Sequence, residues 1–167
     1  MRIVLCDDQP HELAILEKQV RDYLEGKKAF YSILSYDHAG RLLFDLEDAA
    51  RADLYILDID MPGTNGIQIA SRLKDLYPHF ILFFYTSHSE YWSDGFRVEA
   101  RRYLLKSHPV AELHEALDYA LDMYEKSRKD CITISHGHDT INLPIDDIVF
   151  VEHVNRQLLV HTKDQKT

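Results

Sequence analysis

Apolar positions along the chain fall into two alternating patterns. Short runs without polar alternation (Ile3-Val4-Leu5, Leu54 to Leu57, Phe80 to Tyr85 and Tyr103-Leu104-Leu105) read as strands buried on both faces. Between them, apolar residues recur every three or four positions. Leu13, Leu16, Val20 and Leu24 mark one such face; Leu42, Leu43 and Leu46 a second; Ile67, Ala70, Leu73 and Leu76 a third. Leu113, Ala116, Leu117, Ala120 and Leu121 mark the last. The segment from Ala29 to Tyr36 reads as a further strand, His38 to Ala49 as the second helix and Glu90 to Val98 as a short, weakly patterned one. The last helix is expected from Pro109 to Tyr124. Five βα units in succession predict an α/β fold, a doubly wound five-stranded parallel sheet with helices on both faces.

The pattern changes after Lys126-Ser127-Arg128-Lys129-Asp130. Ile132-Thr133-Ile134, Thr140 to Leu143, Ile148 to Val151 and Leu158-Leu159-Val160 are short β segments, with turn residues around Gly137 and from Pro144 to Asp147. No helical pattern intervenes, so this part is expected to be antiparallel. The chain is therefore read as a domain over 1–126 and a short all-β fragment over 127–167.

At 167 residues, with 46% hydrophobic and 28% charged, the composition is that of a globular chain and excludes a disordered or fibrous one. A formal charge of −9 makes it a poor nonspecific ligand for nucleic acid or anionic membrane. Two cysteines form no disulfide framework, and Cys6 falls in an apolar run. Asp7 and Asp8 interrupt the N-terminus too early for a secretory signal, and Phe80 to Tyr85 is too short to span a bilayer. A cytoplasmic protein without a membrane partner is expected.

Ligands of open α/β sheets bind outside the carboxyl ends of the strands. Asp7 and Asp8 follow the first strand, Asp58 the third, Thr86 the fourth and Lys106 the fifth. Three clustered carboxylates repel one another unless a cation neutralises them. A hard, all-oxygen site favours Mg²⁺. One carboxylate can then act as a nucleophile toward phosphorus, giving an aspartyl-phosphate. The lysine and the hydroxyl can neutralise charge on the transferring oxygens. Taken singly, each residue fits a helix cap, a turn or a solvated charge. Five reactive residues on one sheet edge do not.

Two other chemistries can be weighed. Asp58-Ile59-Asp60 with Asn65-Gly66 has part of an EF-hand loop, but Pro62 stands where a third oxygen ligand belongs and no helix precedes it. The same Asp-x-Asp suggests an aspartate-nucleophile phosphatase of the haloacid dehalogenase type, which normally carries it on the first strand and adds a cap domain. A module that takes no phosphate and only docks is the third alternative.

These residues resemble the receiver domain of bacterial two-component response regulators, a flavodoxin-like fold, over about residues 1–126. Asp7-Asp8, the run Leu57-Asp58-Ile59-Asp60-Met61-Pro62-Gly63 with Gly66, Thr86-Ser87 and Tyr103-Leu104-Leu105-Lys106 match that family in order and spacing. The resemblance implies that Asp58 accepts a phosphoryl group from a sensor histidine kinase and that the protein is not an enzyme. It implies Mg²⁺ held by Asp8, Asp58 and the carbonyl of Asp60, with Asp7 helping through water. Lys106 would pair with the phosphoryl oxygens, Thr86 would hydrogen-bond them, and Tyr103 would follow inward as an aromatic switch. Asp60 and His88, each two residues past a site residue, would border the hydrolytic water and tune the lifetime of the phosphoryl group. Homodimerisation is implied on the face of the fourth helix, fifth strand and fifth helix. Ser107 stands where the family places a cis proline; a trans bond is expected, because a non-proline cis bond costs about 2.5–4 kcal/mol.

The run from Ile141 to Glu152 resembles the opening of a LytTR-type DNA-binding domain. That implies a transcription regulator of the LytR/AgrA type, with promoter DNA as a partner of the intact protein only. Asn155 and Arg156 are the candidate contacts, in the loop from His153 to Gln157. From Lys129 onward there are four basic and six acidic residues, which disfavours strong binding by this stretch alone. His136-Gly137-His138 lacks further ligands for zinc. At this length the chain is expected to be a truncated regulator.

Overall fold

The computed structural model describes residues 1–46, 51–77, 79–129, 131–136, 139–154 and 157–163. Two compact units, Met1–Leu121 and Asp122–Thr167, divide the chain. In the first, β1 (Arg2–Cys6), α1 (Pro10–Gly26), β2 (Ser32–Tyr36), α2 (Ala39–Asp45) and β3 (Leu54–Leu57) alternate in sequence. They are followed by α3 (Gly66–Leu76), β4 (Ile81–Thr86), α4 (Trp92–Arg97), β5 (Arg102–Leu105) and α5 (Val110–Lys129). The five strands form one parallel sheet in the order β2-β1-β3-β4-β5, the doubly wound fold that the alternation predicts.

Strand pleating sorts the core into two layers. Val4, Cys6, Tyr55, Leu57, Leu82 and Phe84 face α2 and α3, where Leu42, Ile69, Ala70 and Leu73 meet them. Their neighbours Ile3, Leu5, Leu54, Ile56 and Phe83 are equally buried and face the opposite way, the side of Leu16, Val20 and Leu24 in α1 and of Leu117 and Ala120 in α5. Across that layer Tyr23 of α1 stacks on His114 of α5 at 4.1 Å and donates from its hydroxyl to Asp118 at 2.8 Å. Because β2 lies on one side of β1 and β3 on the other, the chain leaves these two strands in opposite directions and opens a crevice at their carboxyl ends.

Several boundaries differ from the sequence expectation. β2 begins at Ser32 rather than Ala29, because Ala29 N closes α1 on Leu24 O at 3.2 Å and Lys28 takes a left-handed φ of 54°. α2 ends at Asp45; residues 47–50, part of the expected helix, lie outside the described residues. α5 runs on to Lys129 instead of stopping at Tyr124. Its charged extension is built of good helix formers and carries an Asp122–Lys126 pair at 2.6 Å.

In the second unit β6 (Cys131–His136) pairs antiparallel with β7 (Asp139–Pro144), and β8 (Ile148–Val154) with β9 (Gln157–Thr162). A 3₁₀ turn over Ile145–Asp147 links the two hairpins. Among the described residues no helix is long and apolar enough to cross a membrane.

Candidate functional site

Asp7, Asp58 and Lys106 each leave a strand with the backbone still held by the neighbouring one. Asp7 N donates to Tyr36 O at 3.1 Å, Asp58 N to Cys6 O at 2.8 Å and Lys106 N to Thr86 O at 2.9 Å. The sheet ladder thus continues one residue past β1, β3 and β5 and fixes where the charged side chains emerge. Since β1, β3, β4 and β5 are adjacent, Asp7, Asp58, Thr86 and Lys106 stand side by side.

The geometry closes around the lysine. Lys106 Nζ lies 2.6 Å from Asp7 Oδ2 and 3.0 Å from Asp58 Oδ2, with all three side chains buried. Burial raises the Asp7 carboxyl above its ordinary value, while the Lys106 hydrogen bond works against that rise. Burial lowers the lysine, but the hydrogen bond to Asp7 and the charge of Asp58 outweigh it, so its affinity for the proton ends above normal. Lys106 is therefore a fixed cation at neutral pH. Asp58 Oδ1 accepts from Ile59 N at 2.7 Å, which leaves Oδ2 toward the lysine. Thr86 is fully buried at the end of β4.

Oxygen ligand atoms of Asp7, Asp8 and Asp58 lie within 4.8 Å of one another. Asp8 Oδ1 is buried and has no hydrogen-bond partner among the described residues. Asp7 Oδ2 faces the lysine ammonium at 2.6 Å. Three carboxylates, one of them with an orphaned buried oxygen, fit a hard divalent cation, which would complete the charge balance that one ammonium leaves unfinished. Beneath them Cys6 Sγ sits 3.6 Å from Met61 Sδ. Burial first, then the charges of Asp7, Asp58 and Asp8, push its thiol up to about 12, so it stays neutral packing.

α3 starts against the backbone of Asp58. Its N-terminus carries a reciprocal capping box between Asn65 and Gln68. At Gly66 a Cβ would stand 2.1 Å from Asp58 O, so only glycine lets this helix start where it does.

At the rim, His88 Nε2 lies 3.2 Å from Asp60 Oδ2 and Nδ1 2.9 Å from Glu90 Oε1. The hydrogen bond to Glu90, aided by the charges of Glu90, Asp60 and Asp58, raises the imidazole above its usual value. His88 N donates to Thr86 Oγ1 at 3.4 Å, and the Tyr103 hydroxyl donates to His88 O. Tyr103 is half-buried, with its ring 6.1 Å from that of Phe84, and burial pushes its phenol up to about 12. The two residues expected to tune the site thus meet each other, and Tyr103 reaches the Thr86 loop. Glu90, which the sequence marks only as a helix start, is the third member of this rim. Its signal was an acid two residues past a loop histidine.

The Lys106–Ser107 bond is trans, as expected, and the chain turns with His108 N donating to Leu105 O at 3.0 Å. Asn155 and Arg156, the candidate DNA contacts, lie outside the described residues, as do Gly137 and His138.

Comparison with known proteins is consistent along the chain. Residues 3–118 match the family described as response regulator receiver domain. A positive alginate biosynthesis regulatory protein of Pseudomonas aeruginosa is 32% identical over 121 residues, 72% of this chain and 47% of that protein. The sensory transduction protein LytT of Bacillus subtilis is 28% identical over 97% of this chain and 70% of its own length. The accessory gene regulator protein A of Staphylococcus epidermidis is 24% identical over 99% of the chain and 75% of its own length. The chain thus spans about half of the first of these relatives, and its likeness to the other two extends through the β hairpins. Among solved structures, the response regulatory domain of mrkE from Klebsiella pneumoniae superposes with a TM-score of 0.65 at 20% identity, over 75% of this chain and 99% of that one. TrrA of Thermotoga maritima, in complex with Mg(2+)-BeF, does so with 0.61 at 28% identity, over 71% and 97%. With more than half of its length matched and its acids gathered at one end of the sheet, this chain belongs to the response regulator receiver domain family, a family of signalling proteins.

Proposed function

We propose that this chain is the phosphorylatable switch of a two-component transcription regulator, with Asp58 as the phosphoacceptor. The observation that carries the reading is the buried Lys106 ammonium shared between Asp7 and Asp58 beside the orphaned Asp8 oxygen. Asp58 Oδ attacks the phosphorus of a phosphohistidine on a sensor kinase; the O–P bond forms as the P–N bond breaks, and the leaving nitrogen keeps the electron pair. Lys106, already 3.0 Å from Oδ2, compensates the charge gained on the phosphoryl oxygens. Asp8, Asp58 and the carbonyl of Asp60 would hold Mg²⁺, with Asp7 assisting; when bound, the ion supplies charge neutralisation to the transferring oxygens. Thr86 is the hydroxyl that turns toward the phosphoryl group. Tyr103, which bonds to the loop after Thr86, reports that turn to the α4–β5–α5 face. The Asp60–His88 pair stands at the mouth, and an acidic Asp60 there alters how fast the adduct is hydrolysed.

The domain limits that go with this reading are 1–126 for the receiver and 127–167 for the start of a LytTR-type output module, whose intact form binds promoter DNA. Likeness to LytT and to accessory gene regulator protein A through the hairpins supports it.

Incubation with acetyl phosphate and Mg²⁺ tests the reading by intact mass. A single adduct of about 80 Da is expected, lost in Asp58→Asn and on chelation by EDTA. Steady phosphate release from simple esters would support a phosphatase instead, and no adduct would leave only docking. In the same assay, an adduct lifetime indifferent to Asp60→Asn and to His88→Ala removes their tuning role.

A further inference from the structure

α4 has little helix stability of its own, being six residues long with Gly95 in its interior. Its end closes with Ala100 N donating to Gly95 O at 3.0 Å, the six-to-one bond of a left-handed terminator. That closure puts position 99 at a φ of 59°, where glycine is the usual occupant and a Cβ is strained. Here the residue is glutamate. It is held by Lys74, in the last turn of α3, whose Nζ lies 2.8 Å from Glu99 Oε1 and 3.3 Å from Arg97 O. The Arg97 carbonyl belongs to the last turn of α4. A cation at this end also complements the helix dipole. One ammonium thus satisfies a terminal carbonyl and secures the strained residue beyond it.

The two ends of α3 connect this clamp with the acceptor. Gly66 starts the helix against the backbone of Asp58, and its amide donates to Ile59 O at 3.0 Å. Eight residues later, a rise of about 12 Å, the same helix delivers Lys74 to the end of α4. α4 in turn rests on the switch layer, for a Cβ at Gly95 would lie 3.6 Å from both the Phe84 and Tyr103 rings.

We propose that Lys74 is a positioning residue: through Glu99 and the Arg97 carbonyl it sets the place of α4, and so couples α3, and with it the Asp58 loop, to the face that Tyr103 controls. This gives the site a second route to α4, separate from Thr86 and Tyr103, and it rests on Asp58 being the phosphoacceptor.

Hydrogen exchange of the full-length chain, with and without acetyl phosphate and Mg²⁺, tests the proposal alongside intact mass and the emission of Trp92, the single tryptophan. Lys74→Met keeps the aliphatic stem and removes the charge. Exchange at Ala100 and across 92–97 should rise about two- to fivefold, the worth of a partly exposed ion pair. Lys74→Arg should keep the protection of the wild type. The double variant Lys74→Met/Glu99→Gly should regain it, because glycine needs no clamp at that φ. Adduct yield should be unchanged in Lys74→Met, while the phosphorylation-induced change in α4 exchange and Trp92 emission shrinks. Wild-type exchange in Lys74→Met, or no recovery in the double variant, overturns the clamp. A full phospho-response from a loosened α4 overturns the coupling. A wild-type chain that takes no adduct overturns the acceptor reading and the coupling with it, while the exchange rates still decide the clamp.

Discussion

Among the described residues Lys106 is the one cation brought against two of the three clustered carboxylates, and it lies closer to Asp7, at 2.6 Å, than to Asp58. A single charge shared this way leaves the cluster negative, so a divalent cation beside Asp58 would complement the ammonium rather than duplicate it. Gly66 is the other residue on which the site depends, and it contributes no chemistry at all. A Cβ there would meet the Asp58 carbonyl at 2.1 Å, backbone against backbone, so no side-chain rotation relieves it. Gly66→Ala is expected to destabilise the fold by about 2–3 kcal/mol, as overpacking does, with a matching fall in the urea midpoint and a loss of adduct yield. An unchanged midpoint would show that α3 can start elsewhere.

Helix ends decide how the elements transmit a change. α3 is capped at its start by its own Asn65 and Gln68, whereas α4 depends at its end on Lys74, a residue of another helix. Such a helix can move without unfolding the sheet beneath it. The clamp has a pH signature. The Lys74 hydrogen bond, then its charge, holds the Glu99 carboxyl below the ordinary value of 4.5. A lowered folded-state value means that its contribution is complete above 4.5 and is lost only as pH falls through the lower folded value. A carboxyl NMR titration should place the Glu99 midpoint below 4.5, and Lys74→Met should return it toward 4.5. A wild-type midpoint at or above 4.5 would contradict the ion pair.

Across the molecule, charge and apolar surface are unevenly placed. The chain carries −9 overall, and three of its acids, Asp7, Asp8 and Asp58, converge on one end of the sheet, while Trp92 on α4 and Val110 on α5 stand exposed at 58% and 43%. The α4–β5–α5 face proposed for dimerisation also holds Arg102 over the Tyr119 ring at 4.3 Å, a contact that fixes a cation beside the apolar surface. Phosphorylation should therefore shift sedimentation velocity toward a dimer, and Trp92→Glu should hold the phosphorylated chain as a monomer. A phosphorylated wild type that sediments as a monomer at tens of micromolar, about the range in which weak dimers form, would remove that role.

The sheet, its parallel sense and the identity of Asp7, Asp8, Asp58, Thr86 and Lys106 as neighbours were legible in one dimension. Unalternated apolar runs are buried on both faces, and short loops after parallel strands must all open at the same end. The antiparallel hairpins after α5 were legible for the same kind of reason, since no helical period separates their strands. The end of α5 was not, because propensity carries a charged helix past the point where its apolar face stops. Nor was the Asp60–His88–Glu90 rim, or the preference of Lys106 for Asp7, since side-chain pairing across loops depends on where the loops are folded. Lys74 shows the difference most plainly. In sequence it is a solvated charge on a helix; only packing brings it to a glutamate 25 residues away, at a left-handed position that the chain alone does not reveal. Periodicity and strand order fixed which residues share an edge; three-dimensional packing decided which of them touch.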